Sequence, residues 1–374
     1  MRIAVTGSIA TDHLMVFRGR FADQLINSKL DRVSLSFLAD HLEIRRGGAA
    51  ANITFGLGKL GQRPVLVGAA GTDFADHREW LHAAGVDTES VLVSRTRHTA
   101  RFVCTSDAEQ NQIATFYAGA MAEAREIALA PVIRRVGGLD LVVIAPNDPQ
   151  AMLRHTSECH DLGIAFAADP SQQLACLESG EIRCLLEGAR LLFTNEYEAA
   201  LLMERTGLTE RQVLRLVETW VTTLGADGAA IARAHEAPVR VAAVPPGRAV
   251  DPTGLGDAFR AGFLAGLSWG CTPERAAQLG CALAAVVLES AGAEEYEFTA
   301  ADLAARVDRV HGRAAARELE ALIAEVSRIP IAGGRVGASR GRTECTSSNP
   351  LTSARRDDGV DGESGEEYLQ ERVE

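Results

Sequence analysis

A chain of 374 residues with 47% hydrophobic and 24% charged side chains has the balance of a globular protein with a large core. Its formal net charge of −12, of which −5 lies in residues 355–374, argues against nucleic acid or an anionic membrane surface as the main partner. Seven cysteines, none in C-x-x-C spacing, argue against a disulfide framework or a zinc site and indicate reduced thiols in a cytoplasmic protein.

In chain order, Ile3–Val5 reads as a short buried strand that ends in the turn Thr6-Gly7-Ser8. Asp12 and His13 follow too soon for the apolar core of a signal peptide, and no apolar run approaches the roughly 20 residues of a membrane span. The stretch from Asp12 to Arg46 is long for a bare loop, so an inserted subdomain is expected there. Gly47-Gly48-Ala-Ala-Ala-Asn52 opens an Ala-rich helix over Asn52–Lys59. A Gly pair with an Asn at a helix start suits recognition of hydroxyl groups; close helix packing on a sheet is the plainer alternative.

Val65–Val67 reads as the next strand. Arg101–Thr105 and Gln112–Tyr117 then form a hairpin or small sheet apart from the main layer, and with residues near 14–45 they make a β lid over 14–45 and 99–117. Further strands are expected at Leu141–Ile144, Ala165–Ala168, Leu191–Phe193 and Ala229–Ala232, with helices at Glu196–Arg205 and Glu210–Val217. Strands alternating with helices indicate an α/β fold, a mostly parallel central sheet flanked by helices, with sites beyond the carboxyl ends of the strands. After about residue 327 hydrophobic periodicity is lost, and 328–374 reads as a disordered tail, first Gly/Arg-rich and then acidic.

The segment with the most chemistry is Asp251-Pro-Thr-Gly-Leu-Gly-Asp257. Its glycines let the backbone approach a ligand, and a helix is expected from Asp257 to about Leu267. The amides of Leu255, Gly256 and Asp257 at a helix start suit a transferring phosphoryl group, and Asp257 suits removal of a proton from an attacking hydroxyl. An ordinary carboxyl near pKa ~3.9 would be ionised there without tuning. The alternative is a helix cap on a tight glycine turn. Arg260, one turn on, reads first as a surface arginine, and otherwise as a phosphate or base contact. Asn195-Glu-Tyr-Glu198 follows a strand and reads either as a Mg²⁺-orienting pair or as a capped helix start. Val221–Gly228 is a strand running into a glycine turn. Walker A, protein-kinase and Rossmann fingerprints are absent.

In this order the four elements resemble the ribokinase-like (PfkB) family of carbohydrate and nucleoside kinases, over about residues 1–326. The D-x-x-G-x-G-D match is the specific one; the Gly-Gly, N-x-x-E and T-x-G elements add order and spacing. Val5–Leu14, Ser34–Leu38, His98–Phe102, Phe116–Met121, Asp169–Leu174 and Asp251–Phe263 are most similar to the family's bacterial adenosine kinases. The resemblance implies a catalytic centre of Gly254, Leu255, Gly256 and Asp257. It implies that Asp12, supported by Gly48 and Asn52, binds the ribose hydroxyls. Phe102 and Phe116 would enclose adenine, Gln172 and Gln173 would lie near the nucleoside, and Ser8 and Ser36 would line the pocket. Two Phe in a chain with 5% aromatics suit a flat purine, although a small core is the blander reading, as a turn cap is for Asp12. ATP would meet Asn195, Thr223, Gly225 and Gly228, with its adenine near Gly280–Val287. Glu198 would hold Mg²⁺ through water, and carbonyls around Asp251, Thr253 and Gly292 would hold a monovalent cation such as K⁺. Ala226-Asp227 and Cys176 stand where relatives often carry basic residues, which puts a charge contact to ATP and a substrate contact in doubt.

The expected reaction is phosphoryl transfer from ATP to the 5′-hydroxyl of adenosine, a purine salvage step. A sugar kinase acting on ribose or fructose, or a non-catalytic nucleoside-binding protein, is the alternative. Lid strands that pair between chains predict a homodimer.

Overall fold

The computed structural model describes residues 1–24 and 34–327. The tail expected over 328–374, the part of the lid at 25–33 and Cys345 lie outside the described residues. In chain order the strands are β1 (Ile3–Thr6), β2 (Ala10–Val16), β3 (His41–Gly47), β4 (Val65–Ala70), β5 (Asp87–Val93), β6 (Ala100–Ser106) and β7 (Gln112–Tyr117). They continue with β8 (Leu141–Ile144), β9 (Phe166–Ala168), β10 (Ala189–Asn195), β11 (Val217–Thr223), β12 (Ala229–Ala232) and β13 (Val239–Val241).

Among the described residues these strands form two sheets. The larger has the order β13-β12-β11-β10-β9-β8-β1-β4-β5, parallel from β11 to β5 and antiparallel at β11–β12 and β12–β13. The strands β1, β4 and β8 are buried along their whole length, as continuous apolar runs are in a sheet covered on both faces. One face packs on the helices Ala49–Lys59, Leu255–Ser268 and Pro273–Leu288, the other on Leu129–Val136, Pro149–Leu162 and Ser179–Leu186. The smaller sheet has the order β3-β2-β6-β7.

The chain runs from β1 outward to β4 and β5, then returns to β8 on the other side of β1. Loops after β1 and β8 therefore diverge and leave a crevice at the carboxyl ends, where α/β sheets bind ligands. The Ser8 amide donates to the Pro146 carbonyl at 2.8 Å at this point.

The helix expected over Glu210–Val217 ends at Val213, and Val217 begins β11. Val213 and Val217 share a helical spacing, but Val217 pairs with Ala189 in the sheet instead. The helix expected from Asp257 begins at Leu255. The described cysteines are all free. No helix among the described residues is long and apolar enough to cross a membrane.

Candidate active site

A cavity of about 730 Å³ opens at the carboxyl ends of the parallel strands. Ser8 follows β1, Pro146 follows β8, Gln172 and Gln173 follow β9, Asn195 ends β10 and Thr223 ends β11; all line it. The small sheet contributes Asp12 from β2, Phe102 from β6 and Phe116 from β7. A second cavity of about 420 Å³ adjoins it, and Thr223, Leu255 and Gly256 line both.

The shared wall is the start of the helix Leu255–Ser268. Gly254 sits at its N-cap with φ 77°, and a Cβ there would lie 2.4 Å from the Ala293 Cβ, so this turn admits no side chain. Asp257 is the third helical residue, past the cap, and its carboxylate makes no capping bond. It accepts instead from Asn52 Nδ2 at 2.8 Å. Asn52, expected beside the ribose hydroxyls, is buried, directs its amide at Asp257, and leaves its Oδ1 without a hydrogen-bond partner.

The Asp257 carboxyl is not an ordinary one. Burial pushes its pKa up, while Arg260 and the Asn52 hydrogen bond pull it back. Asp12 behaves alike: burial pushes it up to about 6 against the pull of Arg45. Asp12 lies within β2, so it caps no turn, and its Oδ2 would be 3.1 Å from a Cβ on Gly47. Gly48 (φ 103°) lines the cavity where a Cβ would lie 2.6 Å from the Ser8 carbonyl oxygen. The Ser8 hydroxyl accepts from the Ala49 amide at 3.0 Å.

Phe102 and Phe116 are opposite one another across β6 and β7. Phe116 is 52% exposed, so the pair forms an open apolar rim and no core. Ser36 is exposed and does not line the cavity; it lies in the segment leading to β3. Asn195, expected on the ATP side, and Glu198, expected to hold Mg²⁺ through water, line the first cavity. They also form a reciprocal cap: Asn195 Oδ1 accepts from the Glu198 amide at 2.7 Å and Glu198 Oε2 from the Asn195 amide at 2.8 Å. The Ser171 hydroxyl donates to Glu198 Oε1 at 3.1 Å. Both readings of this element are thus compatible. Among the described residues no three His, Cys, Asp or Glu are arranged around a metal position. Glu198, whose carboxylate lines the cavity apart from any such cluster, fits Mg²⁺ held through water rather than caged by protein.

The side chain of Asp251 is already engaged, whereas the expected cation donors are backbone carbonyls. Asp251 Oδ1 accepts from the Thr253 amide at 2.9 Å, and Oδ2 accepts from the Gly292 amide at 3.0 Å and from the Arg45 guanidinium. Arg45 Cδ would lie 3.2 Å from a Cβ on Gly292. The Arg45 guanidinium thus places a fixed positive charge against the Asp251 carboxylate, beside Gly292.

The second cavity is lined by Thr223, Gly225 and Gly228 as expected, and by Cys281, Ala284, Ala285 and Leu288 of the helix Pro273–Leu288. Sequence reasoning missed its wall Ala243–Pro246, which follows β13 and carries no motif. In the first cavity it missed Met121, Pro146 and Ser171. It also placed Arg260 on the surface, whereas Arg260 is buried and bonded to buried Asp169.

Residues 7–298 match the family model described as pfkB family carbohydrate kinase. A nucleoside kinase from Methanothermobacter thermautotrophicus is 30% identical over 256 residues, covering 66% of this chain and 80% of that one. A solved nucleoside kinase from Burkholderia thailandensis in complex with inosine is 31% identical, with TM-score 0.73, covering 83% of this chain and 98% of its own. The same enzyme in complex with ADP-inosine is 32% identical, with TM-score 0.71, covering 83% of this chain and 96% of its own. The chain belongs to the pfkB family of carbohydrate kinases and has its ribokinase-like fold.

Proposed function

We propose that this pfkB-family kinase transfers the γ-phosphoryl group of ATP to the 5′-hydroxyl of a purine nucleoside, adenosine first, yielding AMP and ADP. The observation that carries the reading is the meeting of two unlike cavities at one helix N-terminus, with a carboxylate on the first side. The first suits a nucleoside. It offers Asp12 to vicinal hydroxyls and the Phe102 and Phe116 rings to a flat base. The second, lined by small apolar residues, suits the adenine of ATP. Phosphate would pass along Gly254–Gly256, where the first helical amides lack intrahelical partners.

In the transfer, the bond between the γ-phosphorus and the β-bridging oxygen breaks as the bond from the 5′-oxygen forms. The 5′-hydroxyl proton passes to Asp257, and ADP leaves. In a loose transition state positioning counts for more than base strength, so a half-buried carboxylate suffices once ionised. Bound Mg²⁺ supplies charge neutralisation on the phosphates, and Glu198 would hold its water shell. The small sheet is the proposed lid, closing over the nucleoside to exclude water. Its exposed Val16, Leu42 and Ile44 support pairing of two chains through this sheet.

Likeness to a kinase solved with inosine favours inosine as a second acceptor. The amides of Gln172 and Gln173 can donate or accept, which suits either purine. ADP release across adenosine, inosine, guanosine, ribose and fructose tests the reading. Turnover with adenosine or inosine is expected. Turnover confined to ribose or fructose overturns it in favour of a sugar kinase, and adenosine binding without any phosphorylation in favour of a sensor.

A further inference from the structure

Arg260 lies one turn beyond Asp257 and is 6% exposed. Its Nη2 donates to Asp169 Oδ1 at 2.6 Å, and Asp169, just after β9, is 1% exposed. The guanidinium carbon lies 5.7 Å from the Phe193 ring centroid. On the other side, a Cβ on Gly256 would lie 2.6 Å from Nη1, so the guanidinium packs against the turn between the two cavities. Arg260 also lines the acceptor cavity. Its Nε and Asp169 Oδ2 are buried without a hydrogen-bond partner. An ion pair kept for stability alone satisfies its remaining donors and acceptors; this one leaves them open beside the reacting centre.

We propose that Arg260, anchored by Asp169, is a positioning residue of the phosphoryl-transfer centre: it opposes the charge of Asp257 and backs the Gly256 turn. The proposal rests on the reading of Asp257 as proton acceptor. The groups facing Asp257 explain the need. Asn52, from the helix Ala49–Lys59, donates to it, and Glu198 and Glu294 add negative charge from two further elements. Tyr296 is near and neutral, since burial and the carboxylates of Glu294, Asp257 and Glu297 push its hydroxyl up. Arg260 supplies the positive charge that acts on Asp257 against this burial. Asp169 in turn is pushed up to about 7 by burial, with Arg260 pulling it down, so the two carboxyls depend on one cation. Arg260 transfers no proton; it keeps Asp257 able to take one.

The test compares Arg260→Met, the double variant Arg260→Met/Asp169→Asn, and Arg260→Lys. Removing both partners of a buried pair strands no charge, so the double variant is expected to melt within about 3 °C of wild type. A purely structural pair would then regain its activity. On the proposal, kcat of the double variant stays about 10- to 100-fold down, with the nucleoside KM little changed. The acidic limb of its pH–rate profile moves to higher pH, because the charge that favours the Asp257 anion is gone. Arg260→Lys keeps the charge and loses the fork, so the limb stays in place while kcat falls. Wild-type kcat and an unmoved limb in the double variant overturn the proposal. If that variant does not fold, an unchanged kcat in Arg260→Lys overturns it. A wild type inert toward every nucleoside refutes the functional reading instead. Infrared titration of the Asp257 carboxyl, wild type minus Asp257→Asn, against the same difference in the Arg260→Met background, then decides alone: a midpoint at higher pH supports the proposal, and an unmoved one overturns it.

Discussion

The two cavities that meet at Gly254–Asp257 are built on opposite principles. The first is lined by ionisable side chains, Asp12, Glu198, Asp257 and Arg260, drawn from the small sheet and two helices. The second is lined by glycines, alanines, prolines and other small or apolar residues, with no carboxylate or cationic side chain among its described lining. On the proposed function, the first would discriminate by charge and hydrogen bonding, which a single atom change can abolish. The second would discriminate by shape, which only a change of volume disturbs. The same contrast appears in the pKa behaviour. Asp12 and Asp257 are held above the ordinary carboxyl range by burial, whereas Cys281 in the second cavity is a thiol that burial pushes up to about 12, and so stays neutral.

Four measurements break or sharpen this contrast. The largest effect is expected for Asp257→Asn, with kcat down by about 10³-fold or more and nucleoside binding retained. The same variant should melt higher than wild type at neutral pH. The folded pKa of Asp257 lies above its unfolded value, so ionisation costs stability as pH rises, and an amide removes that cost. No gain is expected at a pH where the carboxyl is protonated in both states. Near wild-type turnover in Asp257→Asn refutes the base assignment.

Next is Asp12→Asn, expected to raise the nucleoside KM about 10- to 100-fold, the worth of hydrogen bonds to a charged acceptor. In wild type, kcat/KM for the nucleoside should fall as pH drops through about 6, where Asp12 gains a proton, and the variant should lack that limb. Smaller again is Ala284→Leu, which fills the second cavity. It should raise the ATP KM about 10-fold and leave nucleoside affinity untouched, by calorimetry on each ligand. If it weakens nucleoside binding equally, the two cavities are not separate sites. The smallest effect is expected from the medium: replacing K⁺ by choline should leave the initial rate unchanged, since Arg45 already occupies the charge position at Asp251.

Local chemistry was legible in the sequence, and long-range pairing was not. Asp251–Asp257 announces a glycine turn and a helix start within seven residues, and the structure puts that turn at the wall between the cavities. Asp12, Phe102 and Phe116 came from family resemblance, and three strands of one small sheet bring them to the same cavity. The Asp169–Arg260 pair spans 91 positions. An arginine on a helix face is usually solvated, and no periodicity reveals the carboxylate that buries this one. The Ala243–Pro246 wall was missed for a different reason: its contribution is shape, which carries no residue signature. The helix read over Glu210–Val217 failed where sheet pairing of Val217 outweighed a spacing that suits either element.

Arg45 faces Asp12 across β2 and β3, grips both oxygens of Glu43, and reaches Asp251. Those contacts use Nε, Nη1 and Nη2 in different directions, a span that only a planar fork has. The position is therefore intolerant of the exchange that substitution tables rate mildest. A lysine there keeps the charge, yet its single nitrogen cannot span Glu43 and Asp251 as the fork does, and one half-buried carboxylate loses its cationic partner.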